Sequence, residues 1–354
     1  MKKIVFVIHQ LNFGGAQRVL INVMNHLNRD KFDVSLIVFQ NADDLEGTLN
    51  KDIKIYKLNV SNVRKGIYKL YKTIKIIRPD ILFSGIAHVN LIISMMIPFL
   101  PKHIKYIARE TSIPSQRLKS EKYPFIIQSL YKYFYSNFNL IIAQSQYMKR
   151  DLINNYKIKD IKIDVINNPV NIKVEEINTD NVLFDNKNIN LLAVGRLHTV
   201  KGYDLLLRLI SQLDDKYHLY FIGDGDEKNN LIKLVNKLHI EDRVHFLGFQ
   251  NNPYKYMVQA DLMILSSRYE GFPNVVLEAN ACGLPVVAFD CPGGTGEIIE
   301  DGLNGFLVEC GNIEKLANKI QEAIYYKWDK EKIVNLTKQR YSVDYIIEKY
   351  QELF

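Results

Sequence analysis

Short β-rich runs and helical patterns alternate along this chain in two consecutive series. The first series has strand-like runs at 3–8, 33–38, 53–58, 80–84, 104–108, 139–143 and 162–166. The second starts at Leu191-Leu-Ala-Val194 and continues at 217–222, 243–246, 262–265 and 285–288. A helix between successive strands is the connection that parallel pairing needs, so each series implies a doubly wound parallel sheet. The clearest helix is 63–78, where Ile67, Leu70, Ile74 and Ile77 recur at spacings of three and four, with Lys65, Lys69, Lys72 and Lys75 on another face. A chain of 354 residues exceeds the roughly 250 to 300 at which single cores stop growing. The expected fold class is therefore α/β, with two Rossmann-like domains facing across a cleft. The polar, Asn-rich stretch 173–188 lacks periodicity. We expect an N-terminal domain over 1–170, a linker over 171–188 and a C-terminal domain over 189–341. A last helix over 342–354, capped by Ser342, should pack back on the first domain.

Several classes are excluded by composition. With 47% hydrophobic and 24% charged residues, the chain is neither collagen-like, disordered nor a disulfide scaffold. Its longest apolar run, Leu91 to Leu100, is shorter than the roughly 18 residues of a membrane span and contains Pro98, so it reads as a buried helix. The apolar start Ile4-Val-Phe-Val-Ile8 stops at His9-Gln10 without a cleavage site, so a core strand is expected there, not a signal peptide. Three cysteines (Cys282, Cys291, Cys310) form no CxxC pair, which points to a reducing cytoplasm. Charge is uneven: residues 1–170 hold 26 basic and 12 acidic residues, +14, and the remainder 20 and 27, −7. This asymmetry suggests an anionic partner for the first half, a membrane or a nucleic acid. A lysine-rich solvent face accounts for part of the excess, but not for the acidic second half.

Ligands of open α/β sheets sit at the carboxyl ends of the strands, so unusual residues just after strands are the candidates. After the first strand, Gly14-Gly15-Ala16 lets backbone approach a ligand at a helix N-terminus, or is simply a tight turn. Gly195-Arg196-Leu197-His198-Thr199-Val200-Lys201-Gly202 brings a guanidinium fork and an ammonium point charge, a pair suited to a diphosphate. The richest stretch is Glu270-Gly271-Phe272-Pro273-Asn274-Val275-Val-Leu-Glu278. Pro273 suits a first helical turn, Asn274 and Glu278 then share a face, and the amides of Asn274 and Val275 can hold phosphate. Glu278 is placed to grip a ribose diol and Glu270 to reach a second sugar, a pattern suited to a nucleoside diphosphate sugar. Asp224-Gly225-Asp226 spells a metal-binding DxD string, but it follows a strand directly and Asp226 can instead cap the next helix.

These segments resemble the retaining glycosyltransferase family 4, of GT-B fold. The likeness lies in the E-x7-E pair Glu270 and Glu278, Gly195-Arg196-Leu197 followed by Lys201-Gly202, and Gly14-Gly15-Ala16. Ala281-Cys-Gly-Leu-Pro-Val-Val287 and Gly293-Gly-Thr-Gly-Glu297 add to it, the latter with one extra residue. The resemblance implies a metal-independent transferase with no cofactor beyond its UDP-sugar donor. Arg196 and Lys201 would stabilise the departing diphosphate. Glu270 would orient the donor sugar, and Phe249, in Leu247-Gly248-Phe249, would lie at the nucleobase. It also places His88 beside the transferring sugar, although a helix-capping or core histidine stays open. Arg109 is expected to line the donor pocket. The acceptor would be a lipid-linked glycan for a cell-surface polysaccharide, with the enzyme resting on the inner face of an anionic membrane. The rivals are a two-lobed sugar- or anion-binding protein and a GT-B epimerase or phosphorylase. Nucleic acid is not expected as a partner: no zinc spacing, aromatic RNA motif or DNA-reading helix is evident. Basic residues interleaved with aromatics over Arg117 to Tyr135 suit a headgroup boundary, and a core helix with lysines in water is the alternative.

Overall fold

The structure, a computed structural model, describes residues 1–11, 14–40, 45–172, 177 and 183–354. It divides into two compact units, one of Met1–Pro169 with Val343–Phe354 and one of Val170–Ser342.

The first unit holds a seven-stranded sheet whose pairings are all parallel. Its strands are β1 (Lys2–Ile8), β2 (Phe32–Val38), β3 (Lys54–Lys57), β4 (Ile81–Ser84), β5 (Lys105–Arg109), β6 (Leu140–Ala143) and β7 (Ile163–Val165). Their order is β3-β2-β1-β4-β5-β6-β7, so the winding reverses between β1 and β4. Central β1 is apolar on both faces because both are covered. Ile4, Phe6 and Ile8 enter one core cluster, and Val5 and Val7 the other. The first cluster lies beneath α1 (Gly15–His26) and the C-terminal helix α14 (Val343–Leu353). Phe354 closes it, edge-on to Phe83 with ring centroids 5.8 Å apart. On the other face lie α2 (Ile67–Ile77), α3 (Ala87–Met96), α5 (Pro124–Phe134) and α6 (Gln146–Tyr156), with the short α4 (Pro114–Leu118) before α5. Within α2, Leu70 and Ile74 are buried while Ile67 and Ile76 face water. A buried side chain of this size contributes about 1.5–3 kcal/mol.

A six-stranded parallel sheet forms the second unit, in the order β10-β9-β8-β11-β12-β13. Its strands are β8 (Ile189–Val194), β9 (Tyr217–Ile222), β10 (Val244–Phe246), β11 (Leu262–Leu265), β12 (Val286–Asp290) and β13 (Gly305–Glu309). The winding reverses between β8 and β11. Helices α7 (Tyr203–Ile210), α8 (Lys228–Leu238) and α12 (Ile313–Tyr325) cover one face. The other carries α9 (Tyr254–Met257), α10 (Asn274–Ala281) and α11 (Thr295–Ile298), with α13 (Lys330–Tyr341) against α10. Edge strand β13 has no counterpart in the sequence reading; it opens on a glycine and ends on Glu309, so its apolar run is only Phe306-Leu-Val308.

The expected linker needs correction at its end. Residues 173–176 and 178–182 lie outside the described residues, but Phe184 is buried in the second unit, 4.6 Å from the Tyr220 ring. A side chain that enters a core belongs to the domain it packs in.

Candidate functional site

In the second unit the unusual residues gather at the carboxyl ends of β8 and β11, the two strands flanking the reversal point. The loops after these strands are pressed together at Gly202. Its φ is +64°, and a Cβ there would stand 2.1 Å from the carbonyl oxygen of Ser266, so only glycine fits. Three further bonds tie the loops: Arg268 N donates to Val200 O (2.7 Å), Ser266 Oγ to Lys201 O (2.9 Å) and Arg268 Nη1 to Thr199 O (2.6 Å). The Arg268 fork also grips Asp204 at 2.9 and 2.8 Å. Burial raises the Asp204 carboxyl, but the guanidinium outweighs it and leaves the group below its usual range.

This scaffold fixes the backbone of Lys201 and aims its side chain at Glu270. Lys201 Nζ lies 2.7 Å from Glu270 Oε1, with the side chains 22% and 12% exposed. Ser267 Oγ donates to the same carboxylate oxygen at 2.6 Å. Burial first, and the Glu270 carboxylate second, push the neighbouring Tyr203 phenol well up. Lys201 therefore has a fixed carboxylate partner and two further N–H donors. Arg196 is placed differently: its side chain is 70% exposed and stands 3.7 Å from Asp226. A surface pair at that distance contributes little, so the guanidinium is free to turn to a ligand.

Helix α10 begins at Asn274, and Pro273 occupies the cap position rather than the first turn. Val276, Leu277, Ala279 and Asn280 are buried and Val275 packs partly on the core, which leaves Asn274 and Glu278 on the half-exposed side. The first-turn amides of a helix lack intrahelical acceptors, so this end suits an anion. Glu278 reaches Cys282, whose thiol is pushed up to about 12 by burial and then by that carboxylate. Gly271 accepts from Gly294 N at 3.1 Å. Phe272, expected with its stretch to line the donor, needs correction: it is 4% exposed and packs on Tyr341 with ring centroids 5.7 Å apart, so its ring is core. Gly195 follows β8 and donates to Ile222 O at 2.9 Å. Phe249, after β10, is 52% exposed.

Asp226 does not cap α8, which starts at Lys228 with Glu227 at the cap position. Asp224 instead accepts from Gly225 N at 2.8 Å and pairs with Lys228 at 3.4 Å. Among the described residues no three His, Cys, Asp or Glu side chains gather as a metal site.

In the first unit the reversal point carries two histidines. His9 follows β1, and His88 lies in the first turn of α3, just after β4. Their rings meet edge to face, 4.9 Å apart and at 86°. Protein packed against part of the ring, then His9, then Arg117, lower His88 to about 4, so it is neutral at pH 7. Gly14 takes the cap position of α1 with extended backbone, and Gly15 opens the helix; Asn12 and Phe13 before them lie outside the described residues.

Arg109 is a further correction. It is fully buried, and Nη2 donates to Asn168 Oδ1 inside the first unit, so it braces strand ends instead of lining a ligand pocket. The sequence reading also missed the role of its neighbour Glu110. This carboxylate is buried, accepts from Asn90 Nδ2 at 3.3 Å and from the Tyr135 hydroxyl, and is raised to about 7 chiefly by burial. His9 is the other omission. A polar residue directly after a core strand was the available signal.

Two parallel-sheet units, each with helices on both faces, define the GT-B class of fold. Residues 13–174 match the profile described as Glycosyltransferase Family 4, and residues 174–340 that of Glycosyl transferases group 1. A Haemophilus influenzae protein described as an uncharacterized glycosyltransferase is 31% identical over 99% of both chains. The chain therefore belongs to glycosyltransferase family 4. It is also 29% identical to a Campylobacter jejuni N-acetylgalactosaminyltransferase named for a diacetylbacillosaminyl-diphospho-undecaprenol substrate, over 88% of this chain and 87% of that one. Anabaena HepE, solved with UDP-glucose, superposes with a TM-score of 0.81 at 23% identity, over 100% of this chain and 99% of that one.

Proposed function

We propose that this glycosyltransferase moves a hexose or N-acetylhexosamine from a UDP-sugar to a lipid-linked glycan during cell-surface polysaccharide synthesis, with retention and without a metal. The carrying observation is the Lys201–Glu270 pair at the reversal point of the second unit. The lipid diphosphate in the Campylobacter relative's name and the UDP-glucose held by HepE support the two substrate classes.

In this reading the α10 amides and Arg196 take the diphosphate and Glu278 the ribose. Glu270 accepts a hydroxyl of the donor sugar, and Lys201 meets the charge that grows on the leaving phosphate oxygen. As the anomeric C–O bond to UDP breaks, the acceptor oxygen bonds to the same face of that carbon. The acceptor's proton passes to the departing phosphate. Two cationic side chains take the part a divalent ion has elsewhere. The test is release of UDP from UDP-glucose or UDP-N-acetylglucosamine that requires a lipid-linked glycan. That rate is expected to survive EDTA. Loss on chelation with recovery only on added Mn²⁺ or Mg²⁺ overturns the metal-free route, and binding without turnover overturns the enzyme.

We place the enzyme on the inner face of an anionic membrane through its first unit. No helix of the described residues is long and apolar enough to cross a bilayer. However, α5 and the residue before it present Tyr123, Phe125, Ile126 and Tyr133 to solvent, Phe125 at 82% exposure. Lys119, Lys122 and Lys132 are exposed beside them. Arg117 does not join this face, since it turns inward to donate to the Tyr131 hydroxyl at 2.8 Å. Exposed rings with ammonium groups suit the headgroup boundary, at about 1 kcal/mol for each basic residue. In vesicle sedimentation, binding is expected to need anionic lipid, to fall with salt, and to drop about tenfold or more in a Lys119/Lys122/Lys132→Glu variant. Equal recovery on neutral and anionic vesicles would sink this placement.

A further inference from the structure

The reversal point of the first sheet holds a contact that the reading of His88 as a sugar-side residue does not use. His9 follows β1 and His88 lies in the first turn of α3, after the adjacent parallel strand β4, and their rings pack edge to face at 4.9 Å. Both backbones are pinned. The His9 carbonyl accepts from Phe39 N at 3.1 Å and from Gln40 N at 3.0 Å. The turn before His88 passes close over α1, because a Cβ on Gly85 would stand 2.6 Å from Leu20 Cδ1. His9 Nε2 is buried and has no hydrogen-bond partner among the described residues. An unpaired buried polar atom carries a desolvation cost, so its presence at a strand end where ligands bind calls for a use.

We propose that His9 is a positioning residue, whose ring fixes the orientation in which the His88 imidazole meets a hydroxyl of the sugar substrate. The proposal rests on the reading of His88 as sugar-facing. A neutral imidazole offers one donor and one acceptor on different edges of the ring, and a hydroxyl can answer either of them. Protonation would leave only donors, and a ring free to rotate would present its nitrogens in many directions. His9 opposes both changes: its ring occupies one side of His88, and a charge on either imidazole disfavours a charge on the other. Among the described residues, the charged or titratable groups that act on His88 are His9, from the β1 side, and Arg117, from α4. Both are cationic or potentially so, and both favour the neutral ring. His9 Nε2 itself is shielded from solvent, so the part His9 plays is carried by the packing of its ring on His88.

Three variants of the full-length protein test this: His9→Ala, His9→Phe and His88→Ala. NMR titration of the labelled imidazoles is expected to place His88 near 4 in the parent protein. In His9→Ala it should move up toward the ordinary value of about 6.5, because the packed ring and the repelling charge are both gone. The acid limb of kcat/KM for UDP release from UDP-glucose or UDP-N-acetylglucosamine should move up with it. At neutral pH, kcat should fall about tenfold, while calorimetric binding of UDP is unchanged. His9→Phe restores a ring in the same place and should recover most of that rate. An unmoved His88 titration in His9→Ala overturns the positioning role, whatever His88→Ala does. Native turnover in His88→Ala overturns the reading of His88 and the substrate half of the proposal, even if the titration moves.

Discussion

Lys201→Ala is expected to lower kcat by about a hundredfold or more, the scale on which a single preorganised charge donor is lost. The magnitude follows from where the ammonium sits. Its 2.7 Å contact to Glu270 is only 22% exposed on the lysine side, so solvent screens it weakly and it needs no reorganisation when charge develops nearby. Its backbone is also clamped, by Ser266 through Lys201 O and by the Arg268 to Val200 bond one residue earlier. Glu270→Gln keeps an acceptor for Ser267 but removes the charge that orients Lys201, so it should damage kcat as well. Neither change touches Glu278 or the start of α10. UDP affinity should therefore stay nearly native in Glu270→Gln, whereas Glu278→Gln should weaken it. Steady-state UDP release separates kcat from KM, and calorimetry with UDP supplies the affinity. Near-native kcat in both Lys201→Ala and Glu270→Gln would show that the pair is structural. Melting curves guard against the opposite error, because removing one partner of a largely buried pair also costs stability.

Much of this arrangement was legible because the physics is local. Parallel strands with covered faces must be apolar on both sides, so β1, β8 and β11 appear as short apolar runs. Residues after such strands are loop residues at a sheet's carboxyl edge, which singles out Arg196, Lys201 and Glu270 without any structure. What the sequence hides is pairing between loops. Nothing in the order of residues says that Lys201 meets Glu270, 69 positions on, rather than standing open beside Arg196. Nor does spacing reveal which side chains turn inward. Arg109, Phe272 and Arg117 each sit in motifs that suggest exposure, yet all three are spent on the interior, on Asn168, Tyr341 and Tyr131. Buried polar groups such as Glu110 are equally silent, since their environment is assembled from Asn90 of α3 and Tyr135 just after α5. His9 was missed for a different reason. It ended an apolar run and served to argue against a signal peptide, so its own position at a strand end was passed over.

Gly293→Ala is expected to be the most damaging single-methyl change in the second unit. Gly293 has φ +136°, a region that side chains rarely adopt, and a Cβ there would stand 1.7 Å from the carbonyl oxygen of Glu270. The clash is with backbone, so no rotamer relieves it. The two loops are also held by a pair of bonds, Glu270 N to Pro292 O at 3.0 Å and Gly294 N to Gly271 O at 3.1 Å. Separating the loops breaks both and moves Glu270 away from Lys201. Strain of about 1–3 kcal/mol for the backbone, added to the overlap, suggests a loss above about 3 kcal/mol. For a unit of this size that lowers the melting temperature by roughly 6–12 °C. Gly311→Ala is the matched control: it too has positive φ, +83°, but a Cβ there meets nothing within 4 Å. Its cost should be the conformational term alone, about 1 kcal/mol. Calorimetric melting of the two variants decides the matter, and equal shifts would show that the Gly293 loop yields without displacing Glu270. Where Gly293→Ala remains folded, its UDP release should be as low as that of Glu270→Gln, because the methyl group separates the same carboxylate from the same ammonium.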